Sequence, residues 1–290
     1  MTIVLSRPRV DELDEAVGAL REWQRDEAPL QLHPGDLGWF CRFGVEATAA
    51  AVRTWARDGR IVAVGLLDEP NLLRLAIAPE LQGDEGTARR LIEDLADPER
   101  GVLPAGKVCV EVPNGVLVKG LLSEHGWDAD EPFTPLSCDL AEPVRDPGPG
   151  LRVEAVGADQ AQAWGDVLRA AFDKSTFTVE RWHAMAAGSP FADARFLVGY
   201  DDRDAAVAAV GVWSAGPGRP GLLEPMGVHR DHRGHGYGRA ITVAAAAALR
   251  DMGASSALVC TPSSYVGAVA TYRSAGFQPL PERRDLCRNL

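Results

Sequence analysis

One order of elements runs through this chain twice, and that repetition limits the folds open to it more than any single motif does. Each half begins with a short strand pattern (2–6; 151–155) and a charged amphipathic helix pattern (10–27; 159–171). A hairpin pattern follows, 51–56 and 61–67 around Asp58-Gly59 in the first half, 194–200 and 205–213 around an Asp-rich turn in the second. Then come a central strand (71–77; 222–228), a helix, a strand, a helix and a closing pair of strands. The spacing is nearly constant: Val228 follows Ile77 and Arg233 follows Gln82 by 151 residues, while Tyr272 follows Leu122 and Phe277 follows Trp127 by 150. A tandem duplication of one α/β unit accounts for this. The Pro/Gly-rich stretch AEPVRDPGPG at 141–150 reads as a linker, giving expected domains at 1–140 and 151–290.

The two copies differ where chemistry is expected. In the second, residues 222–249 (LLEPMGVHRDHRGHGYGRAITVAAAAAL) read as an apolar strand, a basic glycine-rich turn and a long helix. Gly234, Gly236 and Gly238 remove Cβ obstruction, so that successive amides converge where the helix begins. A helix N-terminus carries unpaired N–H groups and a partial positive charge, and Arg230, Arg233 and Arg239 surround this one. The combination is a seat for a pyrophosphate. A Walker loop would end in Lys-Ser or Lys-Thr, whereas this turn ends Gly238-Arg239-Ala240. A dinucleotide fold would place an acid at the end of the next strand, which here ends Cys260-Thr261-Pro262.

Arg233, Gly236 and Gly238, with Val228 at the strand end, resemble the acetyl-CoA-binding motif of the GNAT superfamily of acyltransferases, whose core is Arg or Gln, two residues, Gly, one residue, Gly or Ala. A second superfamily pattern, Asn-x-x-Ala-x-x-Leu-Tyr-x-x-x-Gly-Phe, is matched at Ala268, Tyr272, Gly276 and Phe277, with Tyr265 in place of Asn and Thr271 in place of Leu. The resemblance implies two tandem α/β domains, each a mixed, mostly antiparallel sheet flanked by helices. It implies acetyl-CoA as cosubstrate, held by Met226, Gly227 and Val228 on the strand and by Arg233, Gly234, His235, Gly236, Tyr237, Gly238 and Arg239 in the turn. Tyr272 falls at the position of the proton donor to the CoA sulfur, and a splayed strand pair is expected to receive the pantetheine arm.

Acetyl transfer to an amine needs an unprotonated nucleophile, a polarised carbonyl and a proton for the leaving thiolate. Glu224, a carboxylate in an otherwise apolar strand, is the candidate base, or holds a cationic substrate, or pairs with a nearby arginine. Pro225 cannot donate a ladder hydrogen bond and favours a bulge or strand separation beside it. Phe177 and His183, in the helical region that covers the acceptor in this fold class, are pocket candidates set against ordinary packing. In the first copy, Gln82-Gly83-Asp84-Glu85-Gly86-Thr87 puts two carboxylates at the equivalent helix start, and Leu122 stands for Tyr272. That copy is expected to be degenerate, stabilising its neighbour and walling the acceptor cleft. The expected acceptor is a primary amine on a small molecule; a protein N-terminus or lysine, or a CoA-binding regulatory module without turnover, are the alternatives.

The formal charge of −11 argues against a nucleic-acid partner. Residues 1–8 lack the basic region and apolar core of a secretion signal, and no uncharged run reaches membrane-spanning length. Five scattered cysteines without a C-x-x-C pair suit a reducing cytoplasm and give no metal framework. His229, His232 and His235 show no metal-ligand spacing, so no metal is expected, and a monomer is compatible with the sequence.

Overall fold

The computed structural model describes residues 2–144, 148 and 150–290. The first half comprises β1 (Ile3–Ser6), α1 (Leu13–Trp23), α2 (Pro34–Phe40), α3 (Val45–Ala51), β2 (Val52–Arg57), β3 (Arg60–Glu69), β4 (Leu72–Ile77), α4 (Glu85–Ala96), β5 (Lys107–Glu111), α5 (Leu117–Glu124) and β6 (Asp128–Asp139). The second comprises β7 (Arg152–Ala155), α6 (Ala161–Ala171), α7 (Val179–Ala186), β8 (Ala194–Tyr200), β9 (Ala206–Trp213), β10 (Gly221–Val228), α8 (Tyr237–Asp251), β11 (Ser256–Pro262), α9 (Val266–Ser274), β12 (Gln278–Pro279) and β13 (Arg283–Asn289). The repeated order read from the sequence is present up to the last helix of each half, with α2 and α3 added in a stretch where no element was expected and the single strand β6 closing the first half where a pair was expected.

Local chemistry explains the elements. Leu13, Ala16, Val17, Leu20 and Trp23 recur at helical spacing and make the buried face of α1. Asp58 and Gly59 both take positive φ, the geometry that lets a two-residue turn follow the strand twist, so Arg57 faces Arg60 across the hairpin. Helices cover both faces of the sheet, and separate apolar clusters fill the layers of each half.

The closing strands depart from expectation. The sheet order is β1-β2-β3-β4-β5-β13-β6-β11-β10-β9-β8-β7, so β13 lies between β5 and β6. Its residues 286–289 face 110–107 of β5, while β6 pairs with β11 from Phe133↔Pro262 to Asp139↔Ser256. Each half thus gives a closing strand to the other, and one continuous sheet results. Cys109 on β5 and Cys287 on β13 stand opposite one another and form a disulfide across 178 residues. The odd cysteine count therefore did not exclude a bridge, and the cysteines do not argue for a reducing compartment. Among the described residues no helix is long and apolar enough to cross a membrane.

A second junction brings α2 onto the other half. Gly35 and Gly38 sit against the Trp213 indole of β9, so closely that a Cβ at either would overlap it. His33 caps α2: its Nδ1 accepts from the Gly35 N–H at 2.9 Å, which leaves Nε2 to donate to the Pro220 carbonyl at 3.1 Å. Burial pushes this imidazole down to about 4, consistent with the neutral tautomer that both bonds require.

Candidate active site

The central strands of the two halves differ in how far they pair with their parallel neighbours. β10 pairs with β11 only at Gly221↔Ala257 and Leu222↔Leu258. Beyond Leu222 the strands part, and the register with β9 shifts between Leu223 and Met226, around Pro225. The strand separation expected from Pro225 is present, and the edge of β10 that faces β11 is open from Leu223 to Val228. In the first half β4 and β5 pair at Leu72, Leu73 and Arg74, and the Arg74 guanidinium reaches Glu111 at 3.0 Å. That pairing ends at Arg74, while β4 continues to Ile77.

The turns differ in the same sense. Gly234 and Gly236 have φ of 84° and 83°, and Gly236 caps α8 without a side-chain hydrogen bond. Gly238 is needed for another reason: a Cβ there would meet Thr271 of α9 at 3.0 Å. The first amides of α8 are thus exposed to a ligand. At the start of α4 the Asp84 carboxylate accepts from the Thr87 N–H at 2.8 Å and from Arg57 at 2.8 Å. Those bonds, with the one from the Thr87 hydroxyl, hold its carboxyl down to about 2. An internal anion occupies the place that a phosphate would take.

The arginines of the second turn reach neighbouring helix ends. Arg233 donates to the Ala171 carbonyl at 2.8 Å, and Arg230 to Ala170 at 2.7 Å and to Asp173 at 3.0 Å. They satisfy the unpaired carbonyls at the C-terminus of α6, which a planar guanidinium does well. Arg239 donates to the Ser274 carbonyl at 3.3 Å. His235 stacks on Tyr237 with centroids 5.7 Å apart. Gly227 is fixed by α6, since a Cβ there would strike Ala171.

A cleft of about 700 Å³ opens beside the parted strands, between the halves. Glu224, Met226, Tyr272, Cys260 and Phe177 line it from the second half; Asp36, Trp39, Arg42, Asp68, Arg74 and Glu111 line it from the first. Arg283 and Asp285 arrive on the exchanged strand β13. Glu224 is half-buried on the floor, and burial together with the adjacent Asp36 carboxylate pushes its carboxyl well above the usual range. Arg74 draws this floor together, lying 2.7 Å from Asp36 and 3.6 Å from Asp68. Burial by itself would raise Glu111, but Arg283 and Arg74 hold it down to about 2. Tyr272 is buried, and burial followed by the nearby Glu224 carries its phenol above the ordinary range. Burial pushes the Cys260 thiol up to about 11, which keeps it an un-ionised wall group.

Phe177 takes its expected place in the wall, stacked on Trp39 with centroids 5.6 Å apart. His183 does not line the cleft. The buried face of α7 is Trp182 and Met185, and His183 projects into solvent with an edge contact to Trp182. The sequence reading missed Asp36, Asp68, Arg74 and Glu111. Arg74 and Glu111 carried the signal used for Glu224, a charge in an apolar strand, while Asp36 and Asp68 gave no such mark.

Residues 161–277 match the sequence profile described as "Acetyltransferase (GNAT) family". No curated protein sequence gives a significant match. Solved structures share the fold along the whole chain. A tandem GNAT protein from the clavulanic acid biosynthesis pathway is 15% identical with a TM-score of 0.62, covering 99% of this chain and 98% of that one. A GCN5-related N-acetyltransferase from Sphaerobacter thermophilus is 18% identical with a TM-score of 0.60, covering 99% and 95%. A GNAT-family acetyltransferase from Colwellia psychrerythraea is 15% identical with a TM-score of 0.60, covering 99% and 98%. The parted strands and the start of α8 thus lie inside the segment, residues 161–277, that matches the GNAT acetyltransferase family, and the chain as a whole has the fold of the tandem GNAT structures.

Proposed function

We infer that the protein transfers an acetyl group from acetyl-CoA to a primary amine on a small molecule, at one site formed by the second copy. Residues 151–290 would be the working unit and residues 1–140 the degenerate one, apart from their exchanged closing strands. The observation that carries this reading is the asymmetry of the copies: β10 leaves β11 after two residue pairs and α8 starts on Gly236 with no side-chain cap, whereas β4 stays paired with β5 through Arg74 and α4 is capped by Asp84. A cleft of about 700 Å³ walled by α2 of the first half suits a small molecule better than a polypeptide groove.

Acetyl-CoA supplies the acyl carbon as a thioester. The amides of Tyr237 and Gly238, with the glycine turn before them, would hold its pyrophosphate, and the edge of β10 beyond Leu222 its pantetheine arm. Glu224 accepts a proton from the ammonium of the acceptor, so that the amine lone pair can attack. Tyr272 keeps its proton at neutral pH and delivers it to the leaving sulfur. Calorimetric titration of acetyl-CoA tests the assignment. One site per chain is expected, abolished by Gly236→Glu; a second site, or one that survives this change, would remove the basis for a single C-terminal site.

A further inference from the structure

The cleft carries both signs of charge. Glu224, Asp36 and Asp68 line it, with Arg74 among them. Three further cations line it as well: Arg42 from the first half, Arg181 from α7 and Lys174 from the loop before it. The Arg42 guanidinium lies 4.2 Å from the Trp39 ring centroid and 4.3 Å from that of Phe43, and Arg181 lies 5.0 Å from the other approach to Phe43. Two guanidinium groups, one from each half, are gathered on one phenyl ring.

Their hydrogen bonds leave them unsatisfied as cations. Arg42 donates to the Trp39 carbonyl at 2.7 Å and Arg181 to the Thr176 hydroxyl at 2.5 Å, both neutral acceptors. Among the described residues neither makes a carboxylate ion pair, although Asp68 and Glu224 lie within electrostatic reach of Arg42. Burial pushes Arg42 down to about 10, so it stays charged at neutral pH without a counter-ion beside it. Flat guanidinium groups fixed by aromatic stacking, with spare N–H groups toward a cleft, suit a ligand oxyanion.

We propose that the acceptor is zwitterionic: its amine meets Glu224, and an oxyanion on the same molecule is received by Arg42 and Arg181, which line the same cleft. The aromatic wall of Trp39 and Phe177 lies beside the path between them. The proposal rests on the acyl-transfer reading only for the role of the amine end. Carboxylates and phosphate monoesters share the required chemistry.

Titration calorimetry on the full chain with coenzyme A present tests this with matched pairs: phenylalanine against phenethylamine, β-alanine against ethylamine, and phosphoethanolamine against ethanolamine. The oxyanion-bearing member of at least one pair is expected to bind at least about 10-fold more tightly, as a charge-assisted hydrogen bond requires. The ratio should fall toward unity in Arg181→Gln and in Arg42→Gln, with thermal unfolding to check that each variant folds. A preference in the first two pairs alone identifies a carboxylate, and in the third alone a phosphate. Equal binding within every pair, no binding of any probe, or a preference that survives in a folded Arg181→Gln protein overturns the proposal. Consumption of acetyl-CoA with the same probes separates the two readings: an oxyanion preference without turnover rejects the transfer function and retains the zwitterion site, and turnover without preference does the reverse.

Discussion

Glu224 sits where two electrostatic demands compete. Burial and the Asp36 carboxylate favour its protonated form, whereas Arg74 favours its charge, and the first pair prevails. As a base, Glu224 works only when ionised, so activity should rise as pH rises through its raised value and fall below it. Glu224→Gln is expected to abolish that rising limb and to lower kcat/KM by about 10²-fold or more. A pH–rate profile identical in the wild type and the variant would remove Glu224 from proton transfer. Tyr272→Phe is expected to lower kcat by a similar factor while calorimetry finds the acetyl-CoA affinity unchanged, because the ring packing is retained and only the proton is lost. Turnover at the wild-type rate would assign Tyr272 to packing alone. Both residues were recognisable in the sequence because each is anomalous locally, one as a charge in a strand and the other within a motif.

At the scale of elements, α2 is the part whose position matters most. It carries Asp36 and Trp39 into the cleft, with Arg42 just beyond its end, and it approaches β9 through two glycines against Trp213. The Trp213 Nε1–H in turn donates to the Glu224 carbonyl at 2.7 Å, so the same indole supports both α2 and the bulged strand. Gly38→Ala would push α2 away from the second half. It should cost about 1–3 kcal/mol of stability, measured by urea unfolding, and raise the acceptor KM more than that of acetyl-CoA. Equal KM changes for both substrates would mean that α2 does not shape the acceptor side. No amphipathic pattern flagged α2, because seven residues with two glycines, PGDLGWF, lack a helical stripe.

Across the whole molecule, the exchanged strands tie the two copies into one sheet, and the buried Arg74–Glu111–Arg283 cluster spans the seam. Glu111 is ordinarily a carboxyl of about 4.5 and is held at about 2 in the fold, so its contribution is present above the ordinary value and is lost as pH falls toward 2. Glu111→Gln leaves two buried guanidinium groups short of a partner. It should destabilise the protein by about 3–5 kcal/mol at neutral pH, with the difference from wild type shrinking as both are unfolded at progressively lower pH. A difference that does not change with pH would show that Glu111 acts through shape and not charge. Both halves should report the same loss, since β13 belongs to the sheet beside β5.

The sequence by itself determined the features that depend on near neighbours: the duplicated order of elements, the glycine turn feeding α8, the bulge at Pro225, and the carboxylate at the start of α4. Each follows from backbone sterics or charge within a few residues, which local order records. Only the tertiary structure decided that β6 and β13 change places, that Cys109 meets Cys287, and that the first copy lends Asp36, Asp68 and Arg74 to the other's cleft. It also placed the Arg230 and Arg233 side chains on carbonyls at the end of α6. These outcomes depend on which strand edges and helix ends are left unpaired once both copies have packed. That is a balance over partners 60 to 178 residues apart, for which no local pattern of side chains encodes the partner.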